Sequence, residues 1–233
     1  MTLYLSRVRV RRDPEVAALA PLLDPGGVPA AALDPHEQGK RIDAHHRLIW
    51  SLFADHAERR RDFLWRSAGS GSFLVLSQRP PTERPALFEP PEVKAFAPEL
   101  HARDQLAFAL RANATRDRKG GPRVDVVMDA LRALPRPDRN ESRMRLAQGE
   151  GEAWLGRQGA RSGFEVRHVV VSDYSVAALP GSVGRRSTQP RYGILEMTGE
   201  LVVTDPPRFL TQLAGGFGRA RAFGCGLMLI RRA

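Results

Sequence analysis

Two adjacent histidines, His45 and His46, lie in the stretch AHHRLIWSLF (44–53). Histidine exchanges protons near neutral pH, so either imidazole could serve as a general acid or base. On a helical wheel the apolar stripe centres near Ile42 and Ile49, and the two histidines flank it by about 50° on either side. Periodicity therefore does not choose between them, and a histidine beside an apolar stripe can equally be structural.

The stretch GGFGRARAFGCGL (215–227) has the composition of an anion-binding loop. Backbone N–H groups in a glycine-rich bend can form a nest, and Gly216 and Gly218 would let a phosphate approach the main chain. Arg219 and Arg221 could both point at that phosphate. No Lys-Ser or Lys-Thr follows a glycine, which excludes a P-loop, and Arg221 occupies a glycine position of the Rossmann fingerprint. The alternative is a tight turn without a ligand.

The charge of the chain points to a polyanionic partner, with RNA or DNA first. Lysine and arginine outnumber aspartate and glutamate by 36 to 26, a net charge of +10. A GC-rich genome would explain arginine over lysine, but not this excess. Outside the glycine-rich stretch, the residues predicted to bind nucleic acid come from 108–123 and from a hairpin tip at 184–191, and are Arg111, Asn113, Arg116, Lys119, Arg185, Arg186 and Arg191.

Several classes of site are disfavoured by composition. The single cysteine, Cys225, excludes an internal disulfide and a cysteine metal cage, and no His-x3-His pair supports another metal site. We expect no metal and no cofactor. No apolar run approaches the roughly 20 residues that span a bilayer, and the N-terminus lacks a signal-peptide core, so we expect a cytoplasmic protein without a membrane partner.

The elements that would position these residues follow from periodicity. Alternation predicts strands at 3–10, 63–66, 72–78, 104–113, 164–179, 191–204 and 227–230, with an edge strand in VKAFAP. Helices are expected at 42–60, through 124–162 with a break at LPRPDR, and after Asp205. Residues 12–41 indicate a loop with a short helix at 14–22, and five prolines keep 79–92 irregular.

This order predicts an α+β fold. Each half reads roughly as strand, helix, strands, helix or loop, strand, which fits the ferredoxin-like plan βαββαβ. The predicted domains are residues 1–96, with the histidine helix, and 104–233, with the basic hairpin and the glycine-rich loop.

These motifs together resemble the CasE family, the CRISPR-associated endoribonucleases of type I-E systems. The resemblance covers nearly the whole chain in order. It rests on YLSRVRV at the start, H-x3-W-x2-F from His46, FLWR, LRAN at 110–113, EAWL at 152–155, MTGEL at 197–201 and the closing GFGRARAFGCGL.

The resemblance implies two tandem ferredoxin-like, RRM-related domains. It implies metal-independent cleavage of CRISPR precursor RNA at the base of the repeat hairpin, with the product retained and the protein joined to other Cascade subunits. The family's catalytic histidine falls on His46, four residues before Trp50. Some members carry a tyrosine where this chain has Asp43, so the second catalytic group stays open. The alternative is a non-catalytic RNA-binding module of ferredoxin or RRM type.

Overall fold

The computed structural model describes residues 2–23, 33–56, 58–83, 85–118, 120–179 and 189–233. The chain forms two compact units. The first comprises Met1–Pro98, Ala177–Arg191 and Ala222–Gly224, and the second comprises Glu99–Val176, Tyr192–Arg221 and Cys225–Ala233. The predicted domain limits, 1–96 and 104–233, stay a prediction.

The first unit is built on a four-stranded sheet. Its strands are β1 (Leu3–Arg9), β2 (Phe63–Gly69), β3 (Ser72–Ser77) and β4 (Glu92–Phe96), in the order β2-β3-β1-β4 with antiparallel neighbours. In β1 the side chains of Ser6 and Val8 are buried and those of Arg7 and Arg9 are exposed, as strict alternation predicts. The edge position expected for VKAFAP is confirmed, because β4 pairs with β1 at one end of the sheet.

The helices of the first unit depart from the predicted limits. The short helix expected at 14–22 is two helices, α1 (Pro14–Ala17) and α2 (Ala20–Leu23). The long helix is α3 (Pro35–Trp50), not 42–60, so it occupies part of the predicted loop. Asp34 accepts hydrogen bonds from the backbone N–H groups of His36 and Glu37, and the Glu37 side chain reaches back to the Asp34 N–H. This capping box fixes the earlier start.

The second unit has a complete set of ferredoxin-like elements. Its sheet contains β5 (Gln105–Ala112), β8 (Phe164–Ala178), β9 (Arg191–Val203) and β10 (Met228–Arg232), in the order β10-β5-β9-β8. Between β5 and β8 lie the small hairpin of β6 (Thr115–Asp117) and β7 (Arg123–Asp125) and two helices, α4 (Val126–Arg132) and α5 (Arg139–Ser162). A further helix, α6 (Pro206–Gly215), joins β9 to β10.

The α+β fold class with two ferredoxin-like sheets is therefore confirmed. Both sheets place the last strand beside the first, which is the split βαβ arrangement. The first unit differs in one respect, because the described residues between β3 and β4 contain no helix. The proline-rich stretch 79–92 occupies that place, as its composition predicted.

Each unit has its own hydrophobic core. In the first unit the largest fully buried side chains include Ile49, Phe53, Trp65, Phe73 and Phe88. In the second they include Leu110, Trp154, Phe164, Phe209 and Phe217. Within the described ranges, no helix is both long enough and apolar enough to cross a bilayer.

Candidate functional site

The structure separates the two histidines that periodicity could not separate. The buried stripe of α3 includes Gln38, Ile42, His45 and Ile49. His45 is 8% exposed, and its ring meets Phe73 edge-on with the centroids 5.0 Å apart. His45 is therefore a core side chain of the first unit.

His46 lies at the flank of this stripe and is half-buried. Its ring contacts Trp50, with centroids 6.4 Å apart, and Phe223, with centroids 6.0 Å apart, both in edge-on geometry. Its Nε2 atom is buried and has no hydrogen-bond partner among the described residues. Most buried polar atoms in proteins are hydrogen-bonded, so this unpartnered nitrogen is an exception that calls for an explanation.

Burial lowers the pKa of His46 below its ordinary value of 6.5, because the charged imidazolium loses solvation. The positive charge of Arg61 lowers it further, and Asp43 opposes these effects. Arg61 is half-buried and donates a hydrogen bond from Nη1 to the Phe63 carbonyl oxygen at 2.8 Å. Asp43 accepts a hydrogen bond from Arg47 Nε at 3.0 Å, one helical turn away. Asp43, at the position where some CasE members have a tyrosine, thus pairs with Arg47 on the helix surface.

Part of the glycine-rich stretch belongs to this histidine site. Trp65 donates from Nε1 to the Ala222 carbonyl oxygen at 3.1 Å. Gly224 has a φ of +74°, and a Cβ there would lie 3.2 Å from the Trp65 ring. These contacts fix the turn that carries Phe223 against His46, so Gly224 helps to position the surroundings of the imidazole. Cys225 is buried, as expected from its type.

The other part of the glycine-rich stretch forms a loop in the second unit. Gly218 has a φ of +71°, and a Cβ there would lie 2.5 Å from the Asn113 carbonyl oxygen and 3.2 Å from Trp154. Only glycine allows that approach. The backbone N–H of Arg219 donates to the Asn113 carbonyl oxygen at 3.2 Å, and Arg221 Nε donates to the Gly218 carbonyl oxygen at 3.1 Å. Gly216 ends α6.

A buried polar cluster holds Asn113 in place. Its Nδ2 donates to Asp125 Oδ2 at 3.1 Å and to the Gly193 carbonyl oxygen at 2.8 Å. Asp125 also accepts from the Tyr174 hydroxyl at 3.1 Å and caps α4 through the N–H groups of Val127 and Met128. Burial raises the pKa of Asp125, while the hydrogen bonds from Met128, Tyr174 and Val127 act in the opposite direction. Asn113 is 4% exposed. Its predicted role in nucleic-acid binding would therefore be indirect, through the glycine-rich loop that it anchors.

Beside this loop lies a cation-lined groove of about 350 Å³. Its lining includes Trp154, Gln158 and Arg161 from α5, with Arg123, Arg219 and Arg221. Arg123 makes two hydrogen bonds to Asp117, which lower the pKa of that carboxyl, and Arg219 and Arg161 contribute to the shift. The sequence predictions omitted Arg161. Its spacing of seven from Trp154 and three from Gln158 would have placed all three residues on one helix face.

Of the other predicted cations, those that the structure describes do not line this groove. Arg111 pairs with Glu196 at 3.4 Å, and Arg116 pairs with Asp129 at 2.5 Å and with Glu150 at 3.6 Å. Arg191 is exposed at the start of β9. Lys119, Arg185 and Arg186 lie outside the described residues. Among the side chains that the structure describes, no group of three or more His, Cys, Asp or Glu could hold a metal ion.

Fold and site together define an α+β protein of tandem ferredoxin-like type, with a half-buried histidine and a cation-lined groove beside a glycine-rich loop. The chain belongs to the family described as CRISPR associated protein, whose model matches residues 3–232. It is 25% identical over 191 residues to the CRISPR system Cascade subunit CasE of Escherichia coli strain K12, covering 78% of this chain and 88% of that protein.

Two solved structures share its fold. CRISPR endoribonuclease Cse3 bound to a 19-nucleotide RNA is 23% identical, with a TM-score of 0.65 over 99% of this chain and 98% of that one. Thermus thermophilus Cse3 bound to an RNA representing a pre-cleavage complex is 23% identical, with a TM-score of 0.64 over 99% of this chain and 100% of that one. The resemblance to CasE inferred from the sequence motifs is confirmed.

Proposed function

We propose that this protein is an endoribonuclease that processes CRISPR precursor RNA at the base of the repeat hairpin. The observation that carries the proposal is the buried, unpartnered Nε2 of His46. It stands on the helix and at the motif position where the resemblance to CasE places the catalytic histidine. A buried polar atom without a partner calls for an explanation, and a catalytic role is one of the recurring explanations.

The proposed reaction needs no metal. The 2′-hydroxyl of the nucleotide before the scissile bond attacks the adjacent phosphorus, the bond to the 5′-oxygen breaks, and a 2′,3′-cyclic phosphate remains. His46 either removes the proton from the 2′-hydroxyl or donates one to the leaving 5′-oxygen, and such a group is typically worth about 10²–10⁴ in rate. Its lowered pKa keeps the neutral form populated at pH 7, which suits a base.

We propose Arg61 as the cation that stabilises charge at the scissile phosphate. Its guanidinium is half-buried, anchored to the Phe63 carbonyl oxygen, and exerts its charge on His46. A preorganised cation stabilises the extra negative charge of the transition state without having to reorganise. Asp43 stands where some relatives have a tyrosine. Its carboxylate accepts a hydrogen bond from Arg47, and we propose that its role is to hold that arginine.

We assign RNA binding to the second unit and to the arginines of residues 184–191. Arg123, Arg161 and Arg219 would bind backbone phosphates along the groove, while Arg221 keeps the glycine-rich loop in shape through Gly218. Gly216 and Gly218 would allow an RNA phosphate to come close to the protein backbone. Asn113 supports the glycine-rich loop through the hydrogen bond that its carbonyl oxygen accepts from Arg219 N. Arg111 and Arg116 would have to exchange their carboxylate partners for phosphates. Lys119, Arg185, Arg186 and Arg191 complete the proposed set of RNA-binding cations, with Arg185 and Arg186 assigned to the RNA stem.

We further propose that the cleaved RNA stays bound and brings the protein to other Cascade subunits. The related E. coli protein carries the name Cascade subunit, and the match covers 88% of its length. Retention would follow from a binding surface built largely from phosphate contacts, since these are the same in substrate and product.

The test is a cleavage assay with a repeat-hairpin RNA. We expect one cut at the hairpin base, a cyclic phosphate on the 5′ fragment, unchanged cutting in EDTA, and no cutting of a substrate with a single 2′-deoxy residue before the scissile bond. Loss of activity in EDTA, or cutting of the 2′-deoxy substrate, would overturn the mechanism. Tight binding with no cutting of any repeat hairpin would favour the non-catalytic RNA-binding module.

A further inference from the structure

The two chain segments that flank residues 180–188 both contact helix α3 inside the first unit. Leu179 N donates to the Pro190 carbonyl oxygen at 2.7 Å, which joins the two flanking segments. His36 Nδ1 donates to Gln189 Oε1 at 2.9 Å. On the other side, the Ala178 carbonyl oxygen lies directly against Gly39.

Gly39 is required for this approach. A Cβ at position 39 would overlap the Ala178 carbonyl oxygen, far inside van der Waals contact. Glycine in a helix interior is otherwise unfavourable, because it loses more conformational freedom than alanine. Close packing of α3 on the backbone of Ala178 accounts for its presence.

These contacts use the same face of α3 as His46. Gly39 and His46 are seven residues apart, which is two helical turns, or about 10 Å along the axis. His36 lies three residues before Gly39 and flanks the same face. A displacement of α3 at Gly39 is therefore passed along a rigid helix to the imidazole.

We propose that Gly39 and the His36–Gln189 pair are positioning residues for cleavage. They hold α3, and with it His46, in a fixed place relative to Ala178 and Gln189, the described residues between which Arg185 and Arg186 lie in the sequence. This inference rests on the proposed function, in which those arginines hold the RNA stem. Binding alone tolerates a small shift between stem and imidazole, whereas the reaction does not, because a misplacement of about 1 Å can cost roughly 10²-fold in rate.

The experiment is single-turnover cleavage of a repeat hairpin at saturating enzyme, with the dissociation constant measured separately. We expect Gly39→Ala to slow cleavage by roughly 10²-fold while binding stays within about twofold. Gly149→Ala is the matched control, because a Cβ on that helical glycine meets no atom within 4 Å and should leave the rate unchanged.

The hydrogen-bonded pair gives a second measurement if Gly39→Ala does not fold. We expect His36→Ala and Gln189→Leu each to slow cleavage about fivefold to tenfold, and the double variant to be no slower than either, because both remove one interaction. Gln189→Glu keeps the acceptor oxygen and should retain the wild-type rate.

Wild-type cleavage rates in Gly39→Ala, or additive effects of the two pair variants, would overturn the positioning role. Equal losses in binding and rate would do the same, because they would indicate a structural role only. Failure of the proposed function is a separate result: the wild-type protein would not cut, or His46→Ala would cut equally fast.

Discussion

The ring of Phe223 stands edge-on to the imidazole of His46, with the centroids 6.0 Å apart and the planes at 71°. The two residues are far apart in sequence but belong to the same compact unit. The contact links two motifs that looked independent, the histidine helix and the glycine-rich stretch. It gives that stretch a second task, which is to cover one side of the proposed catalytic ring.

The two histidines should separate activity from stability. His46→Ala removes the proposed proton-transfer group, so we expect cleavage to fall by about 10²–10⁴ with RNA affinity and thermal midpoint nearly unchanged. His45→Ala empties a core position against Phe73 and Trp65. It should lower the free energy of unfolding by about 1–3 kcal/mol and leave cleavage per folded molecule intact. Single-turnover assays and denaturant melts check both, and an active His46→Ala protein would refute the assignment.

The cleavage rate should report the lowered pKa of His46. If the imidazole acts as a base it must be neutral, so the rate falls on the acid side with an inflection below 6.5; if it acts as an acid, the rate falls on the alkaline side of the same inflection. Arg61→Gln removes a charge that disfavours the imidazolium, so the inflection should move upward in either case. A pH profile of the single-turnover rate measures it.

Arg59→Gln is the matched control for the charge change. Arg59 pairs with Asp55 at 2.9 Å and is not among the groups that shift the pKa of His46. The inflection should stay where it is in the wild type. If both variants move it equally, a general charge effect and not Arg61 would be responsible.

Truncation of Phe223 should expose His46. We expect Phe223→Ala to raise the pKa of His46 toward 6.5, because burial is the largest cause of its lowering. Loss of the edge-on contact, worth about 0.5–1.5 kcal/mol, should slow cleavage about twofold to tenfold through a less ordered ring. Phe223→Tyr keeps the ring and should keep both values. An unchanged pH profile in Phe223→Ala would contradict the role given to this contact.

The groove arginines should contribute salt-dependent affinity. Replacing Arg161 or Arg219 by glutamine should weaken RNA binding and reduce the slope of log K against log salt by about 0.7–0.9 for each lost phosphate contact. Arg9→Gln removes the same charge from an arginine already paired with Glu92 at 3.0 Å, and should leave the slope unchanged. Filter binding between low and moderate salt distinguishes the two, and equal slopes in all variants would exclude the groove.

Replacement by alanine should destabilise the protein at Gly218 but be tolerated at Gly215. Gly218→Ala places a Cβ against Asn113 and Trp154 at a positive φ, so we expect about 1–3 kcal/mol of destabilisation and weakened RNA binding. At Gly215 a Cβ meets no atom within 4 Å, so alanine there should be tolerated. Thermal melts and binding titrations compare them. Equal tolerance at both positions would show that the loop geometry is not required.

Local rules predicted most of the elements. Alternation identified β1, the Asp205 cap and Gly215 marked the ends of α6, and LPRPDR separated α4 from α5. The start of α3 was predicted wrongly because the capping box of Asp34 and Glu37 stood inside a stretch judged by its proline, glycine and alanine content alone. The sequence motifs also identified the family.

The sequence by itself determined the excess of arginine, which is a matter of composition. It also determined the α+β order of elements and the presence of an imidazole on the first long helix, because these depend on neighbours within a few residues. Only the tertiary structure decided that His45 packs against Phe73 while His46 meets Phe223, that Arg161 joins Arg219 in one groove, and that Asn113 turns inward to Asp125. Each of these contacts joins residues distant in the chain. Their geometry follows from how the core closes, and no local periodicity encodes it.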